Sequence, residues 1–91
     1  ISVGGLKILP SEVERVALKN KEIKNAKAYG KNNPVTGQHV EIICEPKKNL
    51  KNYQQLMEDL KTDFKKELHE NFVPLKIKFG EINYSYRYKK R

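Results

Sequence analysis

The sequence predicts a small α+β domain, an N-terminal β-hairpin plus a small three-stranded sheet covered by two helices. Three observations carry that expectation. Gly4-Gly5 separates two short apolar runs, Ile1 to Val3 and Leu6 to Ile8, and a glycine pair accepts the positive φ values of a two-residue hairpin turn. Two segments, one after Ser11 and one after Tyr53, repeat apolar residues at three- and four-residue steps, as one face of a helix does. Around them lie short alternating segments bounded by Asn, Pro and Gly, as strands are.

In chain order, the first helix is expected to start at Ser11. Glu14 stands three residues on, in the spacing of a capping box, and Pro10 precedes it. Val13, Val16 and Ala17 give this helix an apolar stripe up to about Asn20. Ile23 to Tyr29, with Ala26 and Ala28, reads as a strand ending at Gly30. Lys31 to Gln38 reads as a polar loop, since Asn32, Asn33, Pro34 and Gly37 are turn formers. His39 to Glu45 sets Val40, Ile42 and Cys44 on one face and Ile43 on the other, a mostly buried strand closed by Pro46 to Asn49.

The second helix is the clearest periodic element. Tyr53, Leu56, Met57, Leu60, Phe64 and Leu68 form its stripe, with Glu58, Asp59, Lys61, Lys65 and Lys66 on the solvent side. Asn71 to Pro74 should end it, because the residue before a proline avoids the helical region. Leu75, Ile77 and Phe79 then alternate with Lys76 and Lys78, a third strand exposed on one face. After Gly80 the tail INYSYRYKKR has no alternation strong enough to bury it and reads as a partly mobile loop.

With 91 residues the chain is read as one domain spanning 1–91, near the size where one core only just suffices. Hydrophobic residues are 37% with no long apolar run, so neither a transmembrane helix nor a secretory h-region is expected. No membrane association and a cytoplasmic location follow as expectations. Cys44 is the single cysteine; it has no disulfide partner and no zinc-site spacing, and reads as a small buried strand residue. The formal net charge of +8 invites a small basic module for nucleic acid or an acidic protein, by counterion release. Lysines nevertheless spread from Lys7 to Lys90, and Lys lacks the planar fork with which Arg reads bases. Nucleic acid is therefore the disfavoured partner.

Hairpin, Pro10 and helix start together resemble the hinge-proximal motif that opens the C-terminal domain of the AMP-forming adenylating enzymes: acyl-CoA synthetases, peptide-synthetase adenylation domains and luciferases. Gly5, Ile8, Glu12 and Glu14 are the matching positions. The resemblance continues through AYGKNNPVTGQHVEII, with Gly30, Pro34, Gly37 and Val40 at the family's places, and through LHENFVPLKIKFGEI with its Val73-Pro74 step. In the last loop the family carries a Pro, a Thr, a Gly and a catalytic Lys. Here Ile82 begins that motif, Ser85 takes the Thr place and Lys89 falls on the Lys, while Asn83 replaces the Pro and Tyr88 the Gly. The basic residue that follows three positions after the family's lysine would lie beyond Arg91, and Lys90 competes with Lys89.

The resemblance implies the mobile C-terminal domain of an acyl-CoA synthetase-like ligase whose large N-terminal domain is absent, Ile1 falling directly inside the opening motif. The whole enzyme would use ATP and Mg2+, both bound mainly by the large domain, to make an acyl-adenylate. It would then pass the acyl group to CoA or to the phosphopantetheine of a carrier protein. Lys89 would serve adenylation by bridging the carboxylate and the α-phosphate. In a second orientation Gly4 and Gly5 would line the thiol tunnel, and Lys7 would meet a CoA phosphate or an acidic carrier surface. A third reading keeps the domain but takes the last loop as decayed, for which Asn83 and Tyr88 speak.

Other side chains read as structural. Glu12 and Glu14 sit in the first helical turn, where the backbone dipole favours negative charge. His39 is placed at a strand start and His69 on a helix surface, without ligand spacing. Tyr84, Tyr86 and Tyr88 are read as packing against the large domain.

Overall fold

The computed structural model describes residues 1–82. Its elements are β1 (Ser2–Val3), β2 (Leu6–Lys7), α1 (Pro10–Leu18), β3 (Ile23–Asn33), β4 (Gly37–Pro46), α2 (Tyr53–Glu67), a 3-10 turn (Glu70–Phe72) and β5 (Lys76–Phe79). The arrangement is α+β, as the sequence predicts. β1 and β2 pair as an antiparallel hairpin, Ser2 opposite Lys7 and Val3 opposite Leu6. The main sheet has the order β3-β4-β5, antiparallel between β3 and β4 and parallel between β4 and β5.

The core lies between the helices and one face of this sheet. α1 contributes Val13, Val16 and Ala17, α2 Leu56, Leu60 and Phe64, and β4 Val40, Ile42 and Cys44. Ala26 and Ala28 of β3 are buried with them, and Ile77 and Phe79 of β5 pack at the margin. The small alanines let α1 approach the sheet closely. Burial pushes the Cys44 thiol up to about 12, so it is inert at neutral pH. The helices also meet through an exposed Lys19–Glu67 ion pair, a type that adds little stability.

Boundaries differ from expectation where side chains bond the backbone. α1 starts at Pro10, not Ser11, with Leu9 as the cap residue. Pro is preset for the first helical position and lacks the N–H that a cap would have to satisfy. Glu12, not Glu14, then reaches back to accept from the Leu9 N–H at 3.2 Å. Glu14 accepts instead from the Ala28 N–H at 2.8 Å, satisfying a donor on the edge strand β3. β3 runs on through Gly30 to Asn33, and β4 begins at Gly37, leaving only residues 34–36 as the turn. Asn33 makes this tight, its Oδ1 accepting from the N–H groups of Val35 at 2.9 Å and Thr36 at 3.3 Å.

α2 begins under an Asn52 cap, whose Oδ1 accepts from Gln55 N–H at 3.0 Å, and ends at Glu67. The stop comes before Asn71 because Leu68 is already extended, with ψ 148°. The 3-10 turn that follows buries Phe72, a core residue the helical stripe does not reveal. His69 leaves the helix surface and caps this turn, its Nδ1 accepting from Asn71 N–H at 3.0 Å. Leu75 donates its N–H to Val40 O, yet its side chain is 72% exposed.

Leu60 and Phe64 are wholly buried, so Leu60→Ala or Phe64→Ala should each cost about 2–5 kcal/mol. Denaturant melts of the two variants check this; losses under about 1 kcal/mol at both positions would mean that α2 does not form the core.

Candidate functional site

Of the site residues that the resemblance points to, those described lie beside the start of β4. At its start stands the hairpin. Gly4 and Gly5 form the turn with φ of 56° and 86°, the left-handed region that side chains other than glycine enter at a cost. A Cβ on Gly5 would meet nothing within 4 Å, so its backbone is an open face. The hairpin is tied to the β3–β4 turn by Gly4 N–H donating to Thr36 O at 2.9 Å and Ser2 N–H donating to Gln38 Oε1 at 2.8 Å. Gly30 makes room for that glutamine, since a Cβ there would come within 2.8 Å of Gln38 Nε2. Lys7 is exposed on β2.

Next to the hairpin lies a cavity of about 210 Å³, lined by Val3, Asn33, Thr36, His39, Asn71 and Leu75 among others. An adjoining, mostly apolar hollow of about 430 Å³ is lined by Lys65, Leu68, Glu70, Val73 and Leu75. At the other end, where β5 runs out, a third cavity of about 460 Å³ is lined by Lys24, Lys48, Tyr53, Phe79, Gly80 and Glu81 among others. Tyr53 and Phe79 meet edge to face there, ring centroids 5.5 Å apart. Gly80 and Glu81 are the root of the last segment. Phe79 pairs with Cys44, whereas the hairpin contacts Thr36 and Gln38, so the two ends are separated by roughly 20–25 Å of chain at about 3.3 Å per residue.

Lys89, Lys90, Asn83, Ser85 and the tyrosines Tyr84, Tyr86 and Tyr88 lie outside the described residues. Of the proposed site residues the structure therefore brings together Gly4, Gly5 and Lys7 on one hairpin. Glu12 and Glu14 are both engaged with backbone N–H groups and form no acid–base pair.

One polar cluster was not foreseen. Glu41 is only 4% exposed, although it lies on the sheet face away from the helices. Its Oε1 accepts from Tyr29 OH at 3.0 Å and its Oε2 binds His39 Nε2 at 2.8 Å. Lys78 Nζ donates to Tyr29 OH at 3.3 Å and stands 3.8 Å from Glu41. The hydrogen bond from His39, opposed by burial and aided by Tyr29, Lys31 and Lys78, holds the Glu41 carboxyl below its ordinary range. The sequence signal was present in the alternation of His39 and Glu41 along one strand. Only the register that sets Tyr29 opposite Glu41 shows that these side chains meet.

No family model and no curated protein matches the chain, but its fold recurs in solved ligase structures. An acyl-CoA synthetase from Brucella canis superposes with a TM-score of 0.76 at 25% identity, over 87% of this chain and 15% of that one. The fold is one shared with the acyl-CoA synthetases. An anthranilate CoA ligase in complex with anthranoyl-AMP matches with a TM-score of 0.80 at 16% identity, over 88% of this chain and 16% of its own. ATP-bound MatB from Rhodopseudomonas palustris matches with a TM-score of 0.77 at 16% identity, over 90% and 16%. The chain thus spans about one sixth of the length of these acyl-CoA synthetases and ligases. Among the described residues, no helix is long and apolar enough to cross a membrane.

The direction of the Glu41 shift fixes a pH dependence. A carboxyl lowered in the folded state contributes stability that is complete above the unfolded glutamate value, about 4.3, and is lost as pH falls through the lower folded value. Glu67, lowered chiefly by its hydrogen bond from Lys19, acts with the same sign. Glu41→Gln should therefore be less stable than the parent at neutral pH and lose less on acidification. Urea melts from neutral pH into the carboxylate range measure the difference; parallel curves for parent and variant would show that Glu41 carries none of it.

Proposed function

We propose that this chain is the mobile C-terminal domain of an AMP-forming acyl-CoA synthetase-like ligase. The full enzyme activates a carboxylic acid with ATP to an acyl-adenylate and transfers the acyl group to the thiol of CoA or of a carrier protein. One observation supports the reading beyond the shared fold: the hairpin and the root of the last segment stand at opposite ends of one sheet, roughly 20–25 Å apart. A domain that turns between two steps brings each of these ends in turn to a single reaction centre.

In the first step Lys89 neutralises charge at the α-phosphate as the carboxylate attacks and pyrophosphate leaves. In the second the hairpin faces the centre, and the bare backbone at Gly5 leaves room for a pantetheine arm beside it. Lys7 on the same hairpin meets the phosphate of CoA or an acidic carrier surface. Among the described residues no three His, Cys, Asp or Glu side chains gather as metal ligands. Mg2+ and most of the ATP contacts fall to the large N-terminal domain, the partner of this one.

The test is a pair of lesions in the full enzyme. Lys89→Ala should slow adenylation, read by pyrophosphate release, by orders of magnitude and leave thioester formation from supplied acyl-adenylate nearly intact. Gly5→Leu should do the reverse, because leucine is strained at that φ and occupies the open face. If Lys89→Ala changes nothing, Lys90→Ala alone and combined with it separates a role for Lys90 from a decayed loop. Equal damage to both half-reactions from either change counts against domain alternation. The 91-residue chain alone should release no pyrophosphate above background, and turnover by it would overturn the assignment.

A further inference from the structure

The same Asn33 that closes the β3–β4 turn also touches the buried cluster, and its two roles conflict once His39 gains a proton. Asn33 Oδ1 is occupied by the Val35 and Thr36 N–H groups, so its Nδ2 is the atom that faces His39 Nδ1, at 3.2 Å. An NH2 group only donates, which makes Nδ1 an acceptor and leaves the neutral ring's proton on Nε2, pointing to Glu41 Oε2 at 2.8 Å. Every member of the chain is then satisfied.

A protonated imidazole has no acceptor left. Its Nε2–H keeps Glu41, but its Nδ1–H now points at the hydrogens of Asn33. Asn33 cannot present its oxygen without releasing Val35 and Thr36. Thr36 in turn holds the hairpin, its carbonyl accepting from Gly4 N–H, while its Oγ1 donates to Gln38 O at 2.7 Å. Gln38 holds Ser2. The strain of one proton therefore falls on two hydrogen bonds that tie the hairpin to the sheet.

We propose that Asn33, His39 and the 34–36 turn form a pH-operated latch on the hairpin, closed while the imidazole is neutral and loosened when it takes up a proton. The charged and titratable groups facing His39 are Glu41 on its own strand, Lys31 and Tyr29 on β3, Lys78 on β5 through Tyr29, and Glu70 of the 3-10 turn, which shares the cavity wall with it. Glu41 stays ionised above the ordinary carboxylate range, because His39 and Tyr29 hold its carboxyl low. The latch rests on these contacts alone and stands whether or not the chain belongs to a ligase.

Amide exchange of the 91-residue chain, corrected for the intrinsic pH dependence, tests it between about pH 8 and pH 5, the range in which imidazoles take up a proton. Protection at Gly4, Val35 and Thr36 should fall about three- to tenfold on acidification, the factor that one hydrogen bond is worth. His39→Gln keeps a donor for Glu41 and an acceptor for Asn33 but does not titrate, so its protection should not change with pH. Asn33→Asp still accepts from the turn and also accepts from a protonated ring, so its protection should hold or rise. Ring 15N shifts of the parent at the upper pH should place the proton on Nε2. A proton on Nδ1, pH-independent protection in the parent, or the same fall in His39→Gln would each overturn the latch.

Discussion

Strand β4 is the constraint on which the rest depends, because among the described strands of the main sheet it alone is hydrogen-bonded on both sides. Its alternation has to satisfy two environments at once. Val40, Ile42 and Cys44 are wholly buried under the helices, and a one-residue slip would turn all of them to the other face. The other face holds Glu41 equally buried, which a slip would drive into the apolar core without partners. Apolar burial and the Tyr29–Glu41–His39 bonds therefore select the same register. That agreement gives a domain of this size a single arrangement from a small core.

This double-faced strand also explains how hairpin and sheet act as one body. The hairpin has only two residues per strand and could not stand alone. It is held by backbone and side-chain bonds to the turn that starts β4, with Val3 inserted in the core. The end of β5 is fixed by Phe79 beside Cys44 and by Gly80 N–H donating to Cys44 O at 3.1 Å. Both ends are thus referred to the same strand.

Much of this was legible in the residues, and what was not has specific causes. Val13, Val16 and Ala17 of the first helical stripe and Leu56, Leu60 and Phe64 of the second stand in the observed core, because burial of one face is a period that sequence displays directly, while Tyr53 of the second stripe is half exposed. The hairpin was legible from Gly4-Gly5, since two adjacent positive φ angles admit few alternatives. The start of α1 was misplaced because Ser11 and Glu14 match a capping pattern that Pro10 pre-empts. The length of β3 was missed because Lys31, Asn32 and Asn33 have poor strand propensity; pairing with β4 overrides it. The Glu41 cluster was hidden for a different reason. A buried carboxylate is recognised by its partners, and these come from three strands whose register no local pattern states.

In the ligase reading, the stiffness of the sheet is what makes alternation efficient. A well-packed layer between two sites transmits a rotation without absorbing it, so turning the domain withdraws one end as it delivers the other. A flexible domain would let both ends approach one centre together, and the thiol would compete with pyrophosphate for the same space. Rigidity therefore belongs in β4 and its two neighbours, and adjustability at the attachments of the ends. The hairpin fits that division: its polar hold on the sheet consists of a few contacts around Thr36 and Gln38, beside the packing of Val3 into the core. In that reading, a change that stiffens this attachment would alter the step proposed for the hairpin and leave the core, and with it the other end, unchanged.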